Sequence, residues 1–218
     1  QLDTHSRSEF LAYICQEMRS QVNNALGCAQ VMKDQMYGPI ENKKYRQYSQ
    51  DIYSHCNQMI GQLDRLLELA RVDAHHAVLR ETVTDIGVCI NRAVQALTDR
   101  LQASELMVQV IADDNGFMLL ADEFRLQQMI SNGLQYFIEA GARAATIEVS
   151  IRQTSDTRER STLAVIGLKC DGELVQQEGF SLHIELIKKL AELHQARVHC
   201  EPGSISIHFP ALRIKFTG

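Results

Sequence analysis

The side chains best suited to nucleophilic or metal chemistry in this 218-residue chain are eight histidines and six cysteines. A metal site needs several such groups converging at the right distance and angle. His75 and His76 follow Asp73, but neighbours on a helix end point in different directions. Cys15, Cys28, Cys56, Cys89, Cys170 and Cys200 form no CxxC pair and no zinc-ligand spacing. They read as reduced, mostly buried thiols of a cytosolic protein. His5, His183, His194, His199 and His208 belong to no recognisable constellation, and no metal site is expected. Asp171-Gly172 is a dipeptide of surface turns.

The elements that carry these residues follow from composition and periodicity. With 45% hydrophobic and 22% charged residues the chain is an ordinary globular one. A net charge of −5 argues against nucleic acid as a partner. No apolar run reaches the ~18–20 residues of a membrane span. Gln1 to Ser8 is polar, unlike a signal peptide, so no membrane contact is expected of this segment. Apolar or small residues recur at Phe10, Ile14, Met18, Val22, Ala25, Ala29, Met32 and Met36, steps of three and four that make one helical stripe. Tyr37-Gly38-Pro39-Ile40 interrupts it, with Gly38 suited to a left-handed cap. A second stripe runs Tyr45, Tyr48, Ile52, Cys56, Met59, Leu63, Leu66 and Ala70. The two make an antiparallel hairpin that cannot bury both its seam and its flanks, so a homodimeric four-helix bundle is expected.

After Asp73 the pattern changes, and the boundary falls near Asp73–Arg80. The pattern predicts a helix over 86–103, a strand over 106–111 and another over 117–120. A helix over 122–140 follows, then a strand over 145–151, a hairpin tip over 153–160 and a return strand over 161–170. A helix over 180–194 and strands over 197–200 and 204–209 complete it. The fold class is α+β: a helical hairpin followed by an α/β sandwich with helices on one face of a mixed, mostly antiparallel sheet.

The stretch Arg7-Ser8-Glu9-Phe10-Leu11-Ala12-Tyr13-Ile14-Cys15-Gln16-Glu17-Met18-Arg19-Ser20-Gln21 resembles the dimerisation and phosphotransfer helix of bacterial sensor histidine kinases, K/R-S-E-F-L-A-x-x-S-H-E-L-R-T-P. Met36-Tyr37-Gly38-Pro39-Ile40 and Leu63 through Asp73 continue the likeness. Ala121-Asp122-Glu123-Phe124-Arg125-Leu126-Gln127-Gln128, Leu182 through His194 and Glu201-Pro202-Gly203-Ser204 resemble parts of the kinase ATP-binding domain. The resemblance implies a phosphotransfer-like hairpin over 1–76 and a degenerate ATPase-like sandwich over 77–218. It also implies an input domain ahead of this point, making the chain the cytoplasmic part of a larger bacterial sensor.

The departures from that pattern decide the expected function. Gln16 stands where the family has its phosphoacceptor histidine, and an amide nitrogen delocalised into its carbonyl is no nucleophile. Glu17 is retained, while Gln21 replaces a proline that would kink the helix. Asn132 survives in the family's N box, but Tyr136 takes the magnesium-binding position and Glu139 the basic one. A neutral phenol is a poor ligand for a hard cation. Asp171, Gly172 and Gly179 are what remains of the glycine motifs, with only residues 172–178 between them where the family has a long lid. No cofactor is expected, and the chain reads as a catalytically inactive signalling module of a two-component system.

The resemblance places partner docking on one face of the first helix, through Gln16, Arg19, Ser20, Val22 and Asn23. His55, Met59 and Gln62 on the second helix extend that surface. The partner would be a response-regulator receiver domain or an active kinase; equally, these are exposed polar positions above an apolar seam. Two other readings stay open. His55 could accept a phosphoryl group from an aspartyl phosphate without ATP, although a histidine at a bundle edge is commoner. Asn132 and Asp171 could hold ATP without phosphotransfer.

Overall fold

The structure is a computed structural model that describes residues 2–73, 78–112, 117–156, 161–174 and 181–216. It divides into two compact units, Gln1–Ala77 and Val78–Gly218.

In the first unit, α1 (Leu2–Lys33) and α2 (Lys43–Asp73) pack along their length. Arg19 Nη1 lies 2.7 Å from Asp64 Oδ1, and the Lys33 ammonium sits 4.0 Å from the Tyr53 ring centre, which fixes the antiparallel sense. The buried seam is made by residues seven apart, Cys15, Val22 and Ala29 on α1 and Ser49, Cys56, Leu63 and Ala70 on α2. Leu26, Ile60, Leu66 and Leu67 pack around it.

The two sequence stripes are therefore only partly the seam. Phe10, Ile14, Met18, Met32 and Met36 are 36–69% exposed, as are Tyr45, Tyr48, Ile52 and Met59 on α2 at 42–62%. Steps of three and four fit either of two adjacent helix flanks, and the partner helix covers just one. The turn differs from expectation too. Gln35, not Gly38, takes the left-handed conformation (φ 53°) that ends α1, and its side-chain Oε1 accepts a hydrogen bond from Ile40 N at 3.0 Å. Gly38 has φ 113°, open to glycine alone, within the loop. The Arg46 guanidinium then ties α2 back to the Ile40 carbonyl at 2.9 Å.

The second unit contains two sheets. Five strands, β2 (Met107–Ala112), β4 (Thr146–Asp156), β5 (Ser161–Cys170), β6 (Arg197–Glu201) and β7 (Ser204–Phe209), run in the order β2-β4-β5-β7-β6. The β2–β4 pair is parallel and the others are antiparallel. A three-stranded sheet, β1 (Thr82–Thr84), β3 (Phe117–Ala121) and β8 (Ile214–Phe216), has the order β1-β3-β8. The helices are α3 (Ile86–Ala96), α4 (Thr98–Ala103), α5 (Glu123–Glu139) and α6 (Leu182–Leu193).

Alternation along the strands builds the core. Ile147, Val149, Ala164, Ile166, Leu168, Ile205, Ile207 and Phe209 are buried, with Leu126, Met129, Ile130, Leu134 and Phe137 from α5 and Leu186, Ile187 and Leu190 from α6. Each large side chain contributes ~1.5–3 kcal/mol of burial. Side-chain oxygens of Asp85 and Asp122 cap α3 and α5 by accepting from Val88 N and Arg125 N.

Three expectations need correction. The helix over 86–103 is broken at Leu97 (φ −112°, ψ 7°), where Thr98 Oγ1 donates to the Val94 and Gln95 carbonyls. Strand β4 continues through 153–156, paired with Ser161 onward, so the hairpin tip is shorter than predicted. The five-stranded sheet is mixed and mostly antiparallel as expected, but β3 lies outside it, in a separate three-stranded sheet with β1 and β8.

Candidate functional site

In the first unit, helical spacing puts Gln16, Arg19, Ser20 and Asn23 on one face of α1, and all four are exposed, as is Glu17. Val22 is 9% exposed and belongs to the seam, so it is not available to a partner, contrary to expectation. The helix runs unbroken through Gln21. On α2, His55, Met59 and Gln62 are exposed at i, i+4 and i+7.

The Arg19–Asp64 contact sets the relative height of the two faces. At ~1.5 Å per residue, Gln62 lies within one turn of that level, whereas His55 lies about 18 Å from Gln16 along the hairpin axis. Asp64 faces Arg19, so Gln62, two residues away, faces the other side of α2 together with His55 and Met59, and the predicted surface splits into Gln16, Arg19, Ser20 and Asn23 on one side and His55, Met59 and Gln62 on the other.

In the second unit the predicted nucleotide remnants are tied up by their own neighbours. Asn132, half-way along α5 and buried, donates from Nδ2 to the Gln128 carbonyl at 2.8 Å. Its Oδ1 is 2.9 Å from His183 Nδ1, so that ring nitrogen donates to it. His183 Nε2 is 2.9 Å from Glu139 Oε2, and the other Glu139 oxygen is 3.4 Å from Arg100 Nη2. A continuous polar chain therefore links α4, α5 and α6 through the buried His183. No sequence pattern joins His183 to Asn132 and Glu139, because the contact is made by packing α6 on α5.

Tyr136 is half-buried, its ring edge-on to Phe137 at 5.4 Å. Burial pushes its phenol above the ordinary value, so the hydroxyl stays neutral. Asp171 Oδ1 accepts from Thr146 N at 2.7 Å, and Asp171 N donates to the Thr146 carbonyl at 3.2 Å. Its carboxylate thus pins the start of β4. Gly172 fits only without a side chain, since an added Cβ would lie 2.6 Å from Ala145 Cβ. Gly179, with His75 and His76, lies outside the described residues.

Among the described residues no group of three or more His, Cys, Asp or Glu could hold a metal ion. None of their helices is long and apolar enough to cross a membrane.

Comparison with known proteins places this geometry. Residues 6–75 match the His Kinase A (phospho-acceptor) domain. The cell-division control histidine kinase PdhS of Brucella suis is 22% identical over 97% of this chain and 23% of its own length. The chain thus spans about a quarter of the length of such curated relatives. Among solved structures, ShkA in complex with AMPPNP aligns with 96% of this chain and 46% of its own at a TM-score of 0.66 and 18% identity. The histidine kinase ThkA in complex with response regulator protein TrrA aligns with 95% of this chain and 64% of its own, at a TM-score of 0.64 and 12% identity. Residues 6–75 thus carry a His Kinase A segment, and the chain has the fold of these solved histidine kinases, a helical hairpin followed by an α/β domain like theirs.

Proposed function

We propose that the chain is a catalytically inactive histidine-kinase-like module that signals by binding. The observation that carries this reading is Gln16, a carboxamide on the exposed face of α1 within the His Kinase A segment, where the family resemblance expects the phosphoacceptor imidazole. An amide cannot form the phosphoramidate that an imidazole nitrogen forms.

The second unit supports the same reading. Magnesium seeks charged or carbonyl oxygens in octahedral geometry. Asn132 Oδ1 is engaged by His183, Tyr136 offers a neutral phenol, and Glu139 brings negative charge where a triphosphate would need cations. These residues do not fit Mg-ATP.

Binding is assigned to two surfaces of the hairpin. The open apolar flank of Ile14, Met18, Ile52 and Met59 suits a second copy of the chain, completing a four-helix bundle. The patch around Gln16, Arg19, Ser20 and Asn23 suits a response-regulator receiver domain, the class of partner named for ThkA.

Incubation with γ-labelled ATP and magnesium is expected to leave the chain unlabelled; acid-labile label from nucleotide alone would overturn the assignment. A receiver domain is expected to bind, and Arg19→Glu to weaken it about tenfold, ~1.4 kcal/mol. Binding indifferent to that charge reversal removes the docking patch.

A further inference from the structure

His194 closes α6 and is fully buried, with both ring nitrogens engaged by backbone. Nδ1 lies 2.8 Å from the Leu190 carbonyl oxygen, to which it can only donate. Nε2 lies 3.2 Å from Asp122 N, whose N–H donates to it. A ring that donates at one nitrogen and accepts at the other is a neutral imidazole in its Nδ1–H tautomer. Asp122 is in turn the cap of α5: Oδ1 accepts from Arg125 N at 3.1 Å and Oδ2 from Arg80 N at 2.9 Å. One imidazole therefore joins the end of α6 to the start of α5 and, through Asp122, to the segment that leads into β1.

The other groups facing the ring come from three more elements. Arg213, in the short 3-10 turn Ala211–Arg213, is buried and bonds to Glu81 Oε1 at 2.8 Å and the Leu120 carbonyl at 2.9 Å. Glu81 lies just before β1, and the ring of Phe209 on β7 stands edge-on at 6.2 Å.

We propose that this junction is an acid-opened latch: a proton on His194 Nε2 turns an acceptor into a donor facing the Asp122 N–H, so the bond breaks and the start of α5 is released from α6 while the five-stranded sheet stays folded. The step needs only a solvent proton, and it holds whether or not the chain uses nucleotide. Burial is the main force keeping the closed ring neutral, below the ordinary 6.5; Arg213 adds to it, while the Leu190 carbonyl, Asp122 and Glu81 oppose it. A histidine whose folded value is lowered contributes stability above its free value. That contribution is lost as pH falls from about 6.5 toward the lowered value. With the opened ring at the ordinary value, the opening constant rises between pH 7.5 and 5.5, by roughly tenfold at most.

Amide hydrogen exchange on the full chain tests this. After correction for intrinsic rates, exchange at Arg80, Asp122 and Arg125 is expected to rise over that range, by about tenfold at most, with amides of central β5, such as Ile166, unchanged. In His194→Gln, which keeps an acceptor and cannot titrate, the rise disappears. Imidazole nitrogen shifts of the unaltered chain at pH 7.5 report the neutral Nδ1–H form independently of whether that variant folds. Equal protection at both pH values, loss at Ile166 in step with Asp122, or an Nε2–H tautomer at pH 7.5 overturns the latch.

Discussion

Replacing Gln16 by histidine restores a nucleophile to α1 but changes nothing in the second unit. The Asn132–His183–Glu139 chain and the neutral Tyr136 phenol remain. Gln16→His alone is therefore expected to leave labelling from ATP at background, measured by acid-labile radiolabel. Gly172 is a second residue whose type is dictated by its surroundings. A methyl there meets Ala145 Cβ, with Cys170 Sγ 3.7 Å and the Arg143 carbonyl 3.9 Å from the same point, in a turn already pinned by Asp171. Gly172→Ala should cost ~1–3 kcal/mol in denaturant unfolding, the range for overpacking.

Element identity was legible where periodicity extended over many residues. The two long helices, α5, α6 and the β5 strand all follow from apolar spacing, and α5 starts where an aspartate can cap it. Three-residue strands carry no such signal. Thr82–Thr84 and Ile214–Phe216 become strands by pairing with Phe117–Ala121, far away in the chain. The break at Leu97 is equally silent, since Leu97 and Leu101 are both buried and keep the apolar spacing of one helix. In the hairpin, spacing showed two helices but not which flank each presents to the other. The polar chain through His183 was illegible for a similar reason, its members lying on two helices. What the residues did carry was the chemistry of single positions, Gln16 and Tyr136 above all, because an amide or phenol behaves alike wherever the fold puts it.

For the whole molecule, the exposed flank of the hairpin predicts self-association. Met18 is 44% exposed in the single chain, and placing a charge there opposes burial against a second copy. Sedimentation is expected to report a dimer, and Met18→Glu to shift it to monomer with its helical signal retained. Thiol chemistry checks the burial pattern. Burial, helped by the Glu123 and Asp85 carboxylates and opposed by Arg92, pushes the Cys89 thiol up to about 11, and burial raises Cys15 as well. Alkylation of the native chain at pH 8, mapped by mass spectrometry, should mark exposed Cys28 first and Cys89 only after unfolding.

The small sheet gives the second unit a definite order of assembly. Its middle strand, β3, must wait for residues 214–216 before its far edge is satisfied, whereas α1 and α2 are neighbours in the chain and close on each other locally. Local closure is fast and distant pairing slow, and domains emerging first during synthesis fold first. On the ribosome, the hairpin would therefore be complete, its apolar flank already open to another nascent chain, while the α/β unit was still missing its last strand.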